Sequence, residues 1–156
     1  MEIRQALEAD DAALVRLLKR SWSWSVGPAP PREGPFFASK SPADVLVAEV
    51  DGGVAGYVLL GHRTPLPTNA HVLEVRGLAV DPDFARRGIG RALLAAAIEA
   101  ARRRGAAKLG LRVFAENEAA CALYRSCGFE VVGVLRDEFR AEGRSIDDMI
   151  MELRLG

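Results

Sequence analysis

The sequence is poor in the residues that mark several protein classes. It has two cysteines and two histidines in 156 residues, and neither Cys121 nor Cys127 has the nearby histidine pair that would suggest zinc. Both read as small core fillers on a helix in a reducing compartment, so no metal is expected. Aromatics are only 6% of the chain, yet hydrophobic residues reach 49%, enough at this length to bury a core without disulfides. Charge of one sign is also missing. Lys plus Arg and Asp plus Glu are 21 each, which leaves no global field to draw in nucleic acid or an anionic membrane. The longest apolar helical run, Ala92 to Ala101, is broken by Glu99 and is too short to span a bilayer. Met1-Glu2-Ile3-Arg4 lacks the apolar core of a signal peptide. These absences predict one cytoplasmic domain over residues 1–156 with no nucleic-acid or membrane partner.

What the chain does contain is Arg86-Arg87-Gly88-Ile89-Gly90-Arg91, placed where an alternating strand, Val72 to Val80, passes into a long apolar helix. The first N–H groups of a helix have no internal partner and sit at the positive end of its dipole, so anions collect there. Gly88 and Gly90 let a ligand approach the backbone, and Arg86, Arg87 and Arg91 add charge and forked donors. A diphosphate-like ligand is one reading of this stretch taken alone, and a plain tight turn is the other. The spacing does not fit a Walker loop, which needs Gly-Lys-Ser/Thr, and a dinucleotide fingerprint fails because Leu93 stands where a third small residue belongs.

A second motif lies downstream: Asn117-x-x-Ala120-x-x-Leu123-Tyr124-x-x-x-Gly128-Phe129. Together the two resemble the GNAT superfamily of acyl-CoA-dependent N-acetyltransferases, from about Val45 to the C-terminus, with Ile3 to Leu18 fitting the family's first strand and helix. The resemblance implies acetyl-CoA as cosubstrate, its pyrophosphate held by backbone amides of Arg86 to Arg91. One departure is Ala85, where the family usually has Gln or Arg; weakened affinity at most is expected. The resemblance also implies that the strands before the two motif helices splay apart, with the pantetheine arm between them and bonded by the backbone of Leu78, Ala79 and Val80.

Along the rest of the chain, Ile3 to Gln5 reads as a strand, and Asp10 or Asp11 as the cap of a helix bearing Leu14, Leu17 and Leu18. Ser21 to Ser41, with Pro28, Pro30, Pro31 and Pro35, reads as an irregular loop. Val45–Val50 and Val54–Leu60 flank Asp51-Gly52-Gly53, a hairpin signal. The pyrophosphate helix should run from about Gly88 to Arg104, with Arg102 to Arg104 complementing its C-terminal dipole and Gly105 ending it. Leu109 to Val113, a helix from Asn117 to about Ser126, and strands Phe129–Leu135 and Asp148–Leu155 follow. The expected fold is α/β, a mixed and mostly antiparallel sheet with helices on both faces.

Acetyl transfer to an amine needs a neutral nucleophile, a stabilised oxyanion and a departing thiolate. Deprotonating an alkylamine at pH 7 costs about 4.6 kcal/mol and a peptide α-amine about 1, so a base matters more for lysine-like substrates. Glu74 matches the family's catalytic glutamate; the other reading is an ion pair with Arg76 or another surface cation. Strand alternation places Glu74, Arg76 and Leu78 on one face unless a bulge intervenes. His71 is a second candidate base, or the exposed start of a strand. Tyr124 matches the residue that, in many relatives, donates a hydrogen bond or proton to the departing thiolate, partial donation being favoured for a phenol of pKa about 10 facing a thiol of about 8.5; the alternative is a core tyrosine. Asn117 serves equally as a coenzyme contact or a helix cap. Trp22, Trp24, Phe36 and Phe37 are candidates for an acceptor wall, with core or homodimer contacts as the other reading. Asp137-Glu138-Phe139-Arg140, Gly143-Arg144 and Asp147-Asp148 look similar to members acting on amino acids or protein N-termini. The resemblance therefore implies acetyl transfer to a primary amine of a small molecule, amino acid or peptide; a non-catalytic acyl-CoA sensor is the alternative.

Overall fold

The computed structural model describes residues 1–156. Short β-branched runs separated by turn residues build its strands: β1 (Glu2–Gln5), β2 (Val45–Val50), β3 (Gly53–His62), β4 (Val72–Val80), β5 (Lys108–Phe114), β6 (Glu130–Ala141) and β7 (Arg144–Arg154). They form one sheet in the order β1-β2-β3-β4-β5-β7-β6. Every pairing is antiparallel except β4 with β5. Three helices pack on it: α1 (Asp11–Ser21), α2 (Ile89–Arg103) and α3 (Glu118–Ser126). None is long and apolar enough to cross a membrane.

The helices divide between the two faces as expected. Leu14 and Leu17 of α1 pack with Val45, Val47, Tyr57, Leu59 and Phe36 on one face. Leu93, Leu94 and Ala97 of α2, with Cys121 and Tyr124 of α3, pack with Leu73, Val75, Leu109, Leu111 and Met151 on the other. The two thiols are free; Cys121 is buried, which raises its pKa, and Cys127 is half-buried.

Local chemistry explains most boundaries. Asp51 and Gly52, at φ 51° and 79°, make the tight β2–β3 turn. Gly105 ends α2 at φ 80°, its N–H bonding Arg102 O at 2.9 Å while Ala106 N–H bonds Ala101 O at 3.1 Å, a Schellman stop. The arginines there also hold local partners: Arg102 pairs with Glu99, and Arg104 lies 3.2 Å from Asp44.

Two expectations need correcting. Neither aspartate caps α1 with its side chain. The Asp10 carboxylate takes Arg4 at 2.9 and 3.0 Å, and that of Asp11 accepts the N–H groups of Phe36 and Phe37 at 3.1 and 2.8 Å. The last two strands are also longer than expected, because the charged run from Arg136 to Asp147 continues the hairpin. An irregularity between Leu135 and Phe139 absorbs Asp137 at φ 52°, and Asp137 N–H is bonded to Asp147 Oδ1 at 2.9 Å.

Candidate active site

The β4–β5 ladder is short. Val72 pairs with Lys108, Leu73 with Leu109 and Glu74 with Gly110, and there the pairing stops. Beyond that rung β4 is held only by β3, through Leu59–Gly77, Val58–Leu78, Tyr57–Ala79 and Gly56–Val80, while β5 is held only by β7. The strands part, leaving the β5-side backbone groups of Leu78, Ala79 and Val80 without a strand partner.

At the far end of β4 a 3₁₀ turn over Pro82–Phe84 leads into the arginine-glycine segment. Arg86 and Gly88 are left-handed, at φ 64° and 78°. None of the backbone N–H groups from Arg86 through Arg91 is bonded to a backbone carbonyl, and no side chain caps α2. The contacts of the arginine side chains are with neutral groups: Arg87 lies over the Phe84 ring at 5.0 Å, and Arg91 donates to Ser126 Oγ at 2.8 Å and reaches Cys127 Sγ at 4.0 Å. A row of free donors at a helix N-terminus, beside three guanidinium groups with no carboxylate partner, fits a diphosphate. The two glycines serve different ends. Gly88 supplies the left-handed turn, with open space where a Cβ would point, whereas a Cβ on Gly90 would lie 3.2 Å from Leu123 Cδ2. Gly90 therefore also lets α3 approach α2.

Glu74 occupies the branch point itself. Its half-buried carboxylate pairs with Arg63 Nε at 3.3 Å, so the partner is Arg63 and not Arg76. Arg63 also reaches Glu152 at 3.8 Å, and Glu152 holds Lys108 at 2.9 Å. The expected alternation fails just past Glu74. The β3–β4 register slips between Leu59 and Leu60, leaving Arg76 as the extra residue. Leu73 and Val75 before the slip share the α2 face with Leu78 and Val80 after it. Glu74 thus shares the α1 face with Gly77 and Ala79, opposite Leu78.

Tyr124 comes from α3 on the other face, 7% exposed, with its ring edge-on to Phe129 at 5.8 Å. Burial disfavours its phenolate and holds its pKa well above the ordinary 10. Asn117 caps α3, accepting Ala120 N–H at 3.3 Å. His71 is exposed in the turn before β4, its carbonyl accepting Ala107 N–H at 2.8 Å; the structure leaves it at the closed end of the strand, away from the gap.

The aromatic segment splits in two. Phe36 is 3% exposed and packs edge-on to Tyr57 at 5.3 Å and Phe37 at 5.1 Å, so it is core. Trp22 and Trp24 lie edge to face at 4.8 Å, and their loop is tied by Ser25 Oγ to Glu116 at 2.7 Å. Glu116, just past β5, also takes Arg144 at 2.8 Å; Arg144 and then Ser25 hold its pKa at about 2. This links the tryptophan loop to the open end of the gap and to the start of β7. Sequence reading missed Tyr57, Arg63 and Gly110. Glycines inside apolar strands, Gly77 and Gly110, were the available signal, since such glycines mark bulges or close approaches.

Residues 12–129 match the family model described as the acetyltransferase (GNAT) family. The chain is 30% identical over 164 residues to the L-amino acid N-acyltransferase MnaT of Escherichia coli, covering 99% of this chain and 94% of that one. It is 45% identical over 76 residues to the [ribosomal protein bS18]-alanine N-acetyltransferase of Escherichia coli, covering 49% of this chain and 51% of the relative. Over several curated relatives the match spans between 24% and 52% of their length. Among solved structures, yncA, a putative acetyltransferase from Salmonella typhimurium with its cofactor acetyl-CoA, superposes with a TM-score of 0.82 at 26% identity, covering 100% of this chain and 94% of that one.

Proposed function

Because the chain belongs to the GNAT family of acetyltransferases, we propose that it transfers the acetyl group of acetyl-CoA to a primary amine by direct attack in a ternary complex. The observation that carries this reading is the β4–β5 ladder that ends at Glu74–Gly110, opening a gap that leads to the unbonded N–H groups of Arg86 to Arg91. Those amides, with Arg86, Arg87 and Arg91, hold the pyrophosphate, and the free edge of Leu78 to Val80 holds the pantetheine arm.

The chemistry needs three events. The acceptor nitrogen forms a bond to the thioester carbonyl carbon, the carbon–sulfur bond breaks, and the amine's proton leaves. Glu74 takes that proton, directly or through water, from the face that carries α1. Tyr124 meets the departing thiolate from the α3 face. A phenol whose proton is held tightly is a poor full donor to a thiol of pKa about 8.5, so Tyr124 acts by hydrogen bonding as charge develops on sulfur. The acceptor class to which the relatives point is an α-amine, of a free amino acid or of a protein N-terminus.

Release of coenzyme A thiol from acetyl-CoA tests this across amino acids, alanine-initiated peptides, polyamines and aminoglycosides, corrected for hydrolysis without acceptor. Release confined to one acceptor class is the expected result. Silence across the panel from a protein that binds acetyl-CoA removes the reading.

A further inference from the structure

Tyr57 is a second phenol at the gap, on the face opposite Tyr124. It sits on β3 across from Ala79, 5% exposed, with its ring against Phe36. Its Oη stands 2.7 Å from the position that a Cβ on Gly77 would occupy. Any other residue at 77 would push the hydroxyl away. The slip at Arg76 turns Gly77 to the same face as Glu74, so the Tyr57 hydroxyl lies over β4 just beyond the branch point, where β4 has already lost β5.

That hydroxyl has no protein partner. Trp22 Nε1 is the one fully occluded polar side-chain atom lacking a bond, so Tyr57 Oη is not sealed from solvent. Burial lifts its pKa to about 12, which keeps it a neutral donor. A phenylalanine would keep the contact with Phe36, so the hydroxyl adds nothing to the packing of the ring. A donor with no protein partner, open to solvent on the face of β4 that carries the candidate base, points to a ligand acceptor atom. The attacking amine must keep its lone pair for the carbonyl carbon, which leaves the oxygens of the acceptor and of the thioester; the hydroxyl's place on the α1 face, opposite Tyr124, favours the acceptor.

Resting on the acetyltransferase reading, we infer that Tyr57 is a specificity-determining residue that donates a hydrogen bond to the carbonyl or carboxylate oxygen adjacent to the acceptor's α-amine, selecting α-amines over simple alkylamines. The test compares an alanine-initiated tripeptide with isopropylamine, which lacks the carbonyl group, in wild type, Tyr57→Phe and Gly77→Ala. The wild type should prefer the peptide in kcat/KM, and Tyr57→Phe should lower that preference about tenfold with the KM for acetyl-CoA unchanged. Gly77→Ala, which displaces the hydroxyl without deleting it, should act in the same direction, and the double variant should lose no more than the worse single one. A wild type without the preference, or a preference that Tyr57→Phe leaves intact, overturns the assignment. Calorimetric titration of the tripeptide into protein loaded with coenzyme A reads the same contact without turnover. A tenfold loss of affinity there, from a wild type that releases no thiol, would keep the contact and remove the acyl-transfer reading.

Discussion

Arg63 Nε lies 3.3 Å from Glu74 Oε2, and the same guanidinium crosses the face of Gly110, the residue paired with Glu74 on the last rung between β4 and β5. A side chain at 110 would exclude Arg63. The candidate base is therefore held where the strands divide, by a cation from the β3–β4 connection.

The first prediction concerns that carboxylate. Glu74→Gln removes the proton acceptor but keeps the shape, and the loss should scale with the cost of making the amine neutral. At pH 7 that cost is about 4.6 kcal/mol for an alkylamine and about 1 for a peptide α-amine. The variant should lose about 10²- to 10³-fold in kcat with a lysine-like acceptor and about five- to tenfold with an α-amine. Steady-state rates with both acceptors check this; equal losses would mean that Glu74 only holds Arg63.

Tyr124 gives the second prediction. Tyr124→Phe should reduce kcat about tenfold or more while the Kd for acetyl-CoA stays nearly constant, because the hydroxyl is needed only as charge develops on sulfur. Since burial raises its pKa, ionisation of Tyr124 should produce no fall in rate below pH 10. A basic limb below that pH that vanishes in Tyr124→Phe would contradict the assignment.

Both motifs were legible because each rests on local rules. Glycine before an apolar helix, an asparagine cap and Asp-Gly between apolar strands all specify backbone geometry within a few residues. The strand from Val72 to Val80 was legible for the same reason. What escaped depends on register. The slip at Arg76 reverses which residues of β4 share a face with Glu74, and nothing in Leu73-Glu74-Val75-Arg76-Gly77 announces it except the glycine. Tyr57 escaped because its hydroxyl acquires meaning only against Gly77, on the neighbouring strand. Phe36 read equally as acceptor wall or as core, and the structure selects the core: Asp11 accepts its N–H and the ring is buried.

The two glycines of the anion turn supply the third prediction. Gly88→Ala meets no atom but must adopt a left-handed conformation, at about 1–2 kcal/mol, so Tm should fall by a few degrees and coenzyme affinity should drop with the turn. Gly90→Ala keeps a helical backbone and presses only on the flexible end of Leu123. It should leave affinity closer to wild type. Calorimetric Kd values and melting curves for the pair separate these outcomes; a larger affinity loss in Gly90→Ala would mean that position 90 lies against the ligand.

The last prediction concerns acid stability, away from the gap. Asp10 is buried and takes both Arg4 nitrogens at 2.9 and 3.0 Å and Leu7 N–H at 2.8 Å. The bond from Arg4 is the largest cause holding its pKa below the ordinary 3.8, burial opposes the shift, and the Leu7 N–H adds to it. An acid whose folded pKa is lowered binds fewer protons folded than unfolded. Its stabilisation is fully present above about pH 4 and disappears as pH falls through the lower folded value. Asp148 has the opposite sign, because burial raises its pKa despite Arg112, so it does not produce this loss. Asp10→Asn should cost about 2 kcal/mol at pH 7, a Tm drop of about 4–8 °C, since Glu49 at 3.3 Å becomes the one carboxylate left to Arg4, beside the Gln5 carbonyl at 3.1 Å. The difference between the two proteins should shrink steadily below pH 4. Glu116 and Asp137 also have lowered pKa values and destabilise both proteins alike on acidification. Melting curves of wild type and Asp10→Asn between pH 7 and 2.5 isolate Asp10; a difference that stays constant across that range would show that packing, and not the charge on Asp10, secures the start of α1.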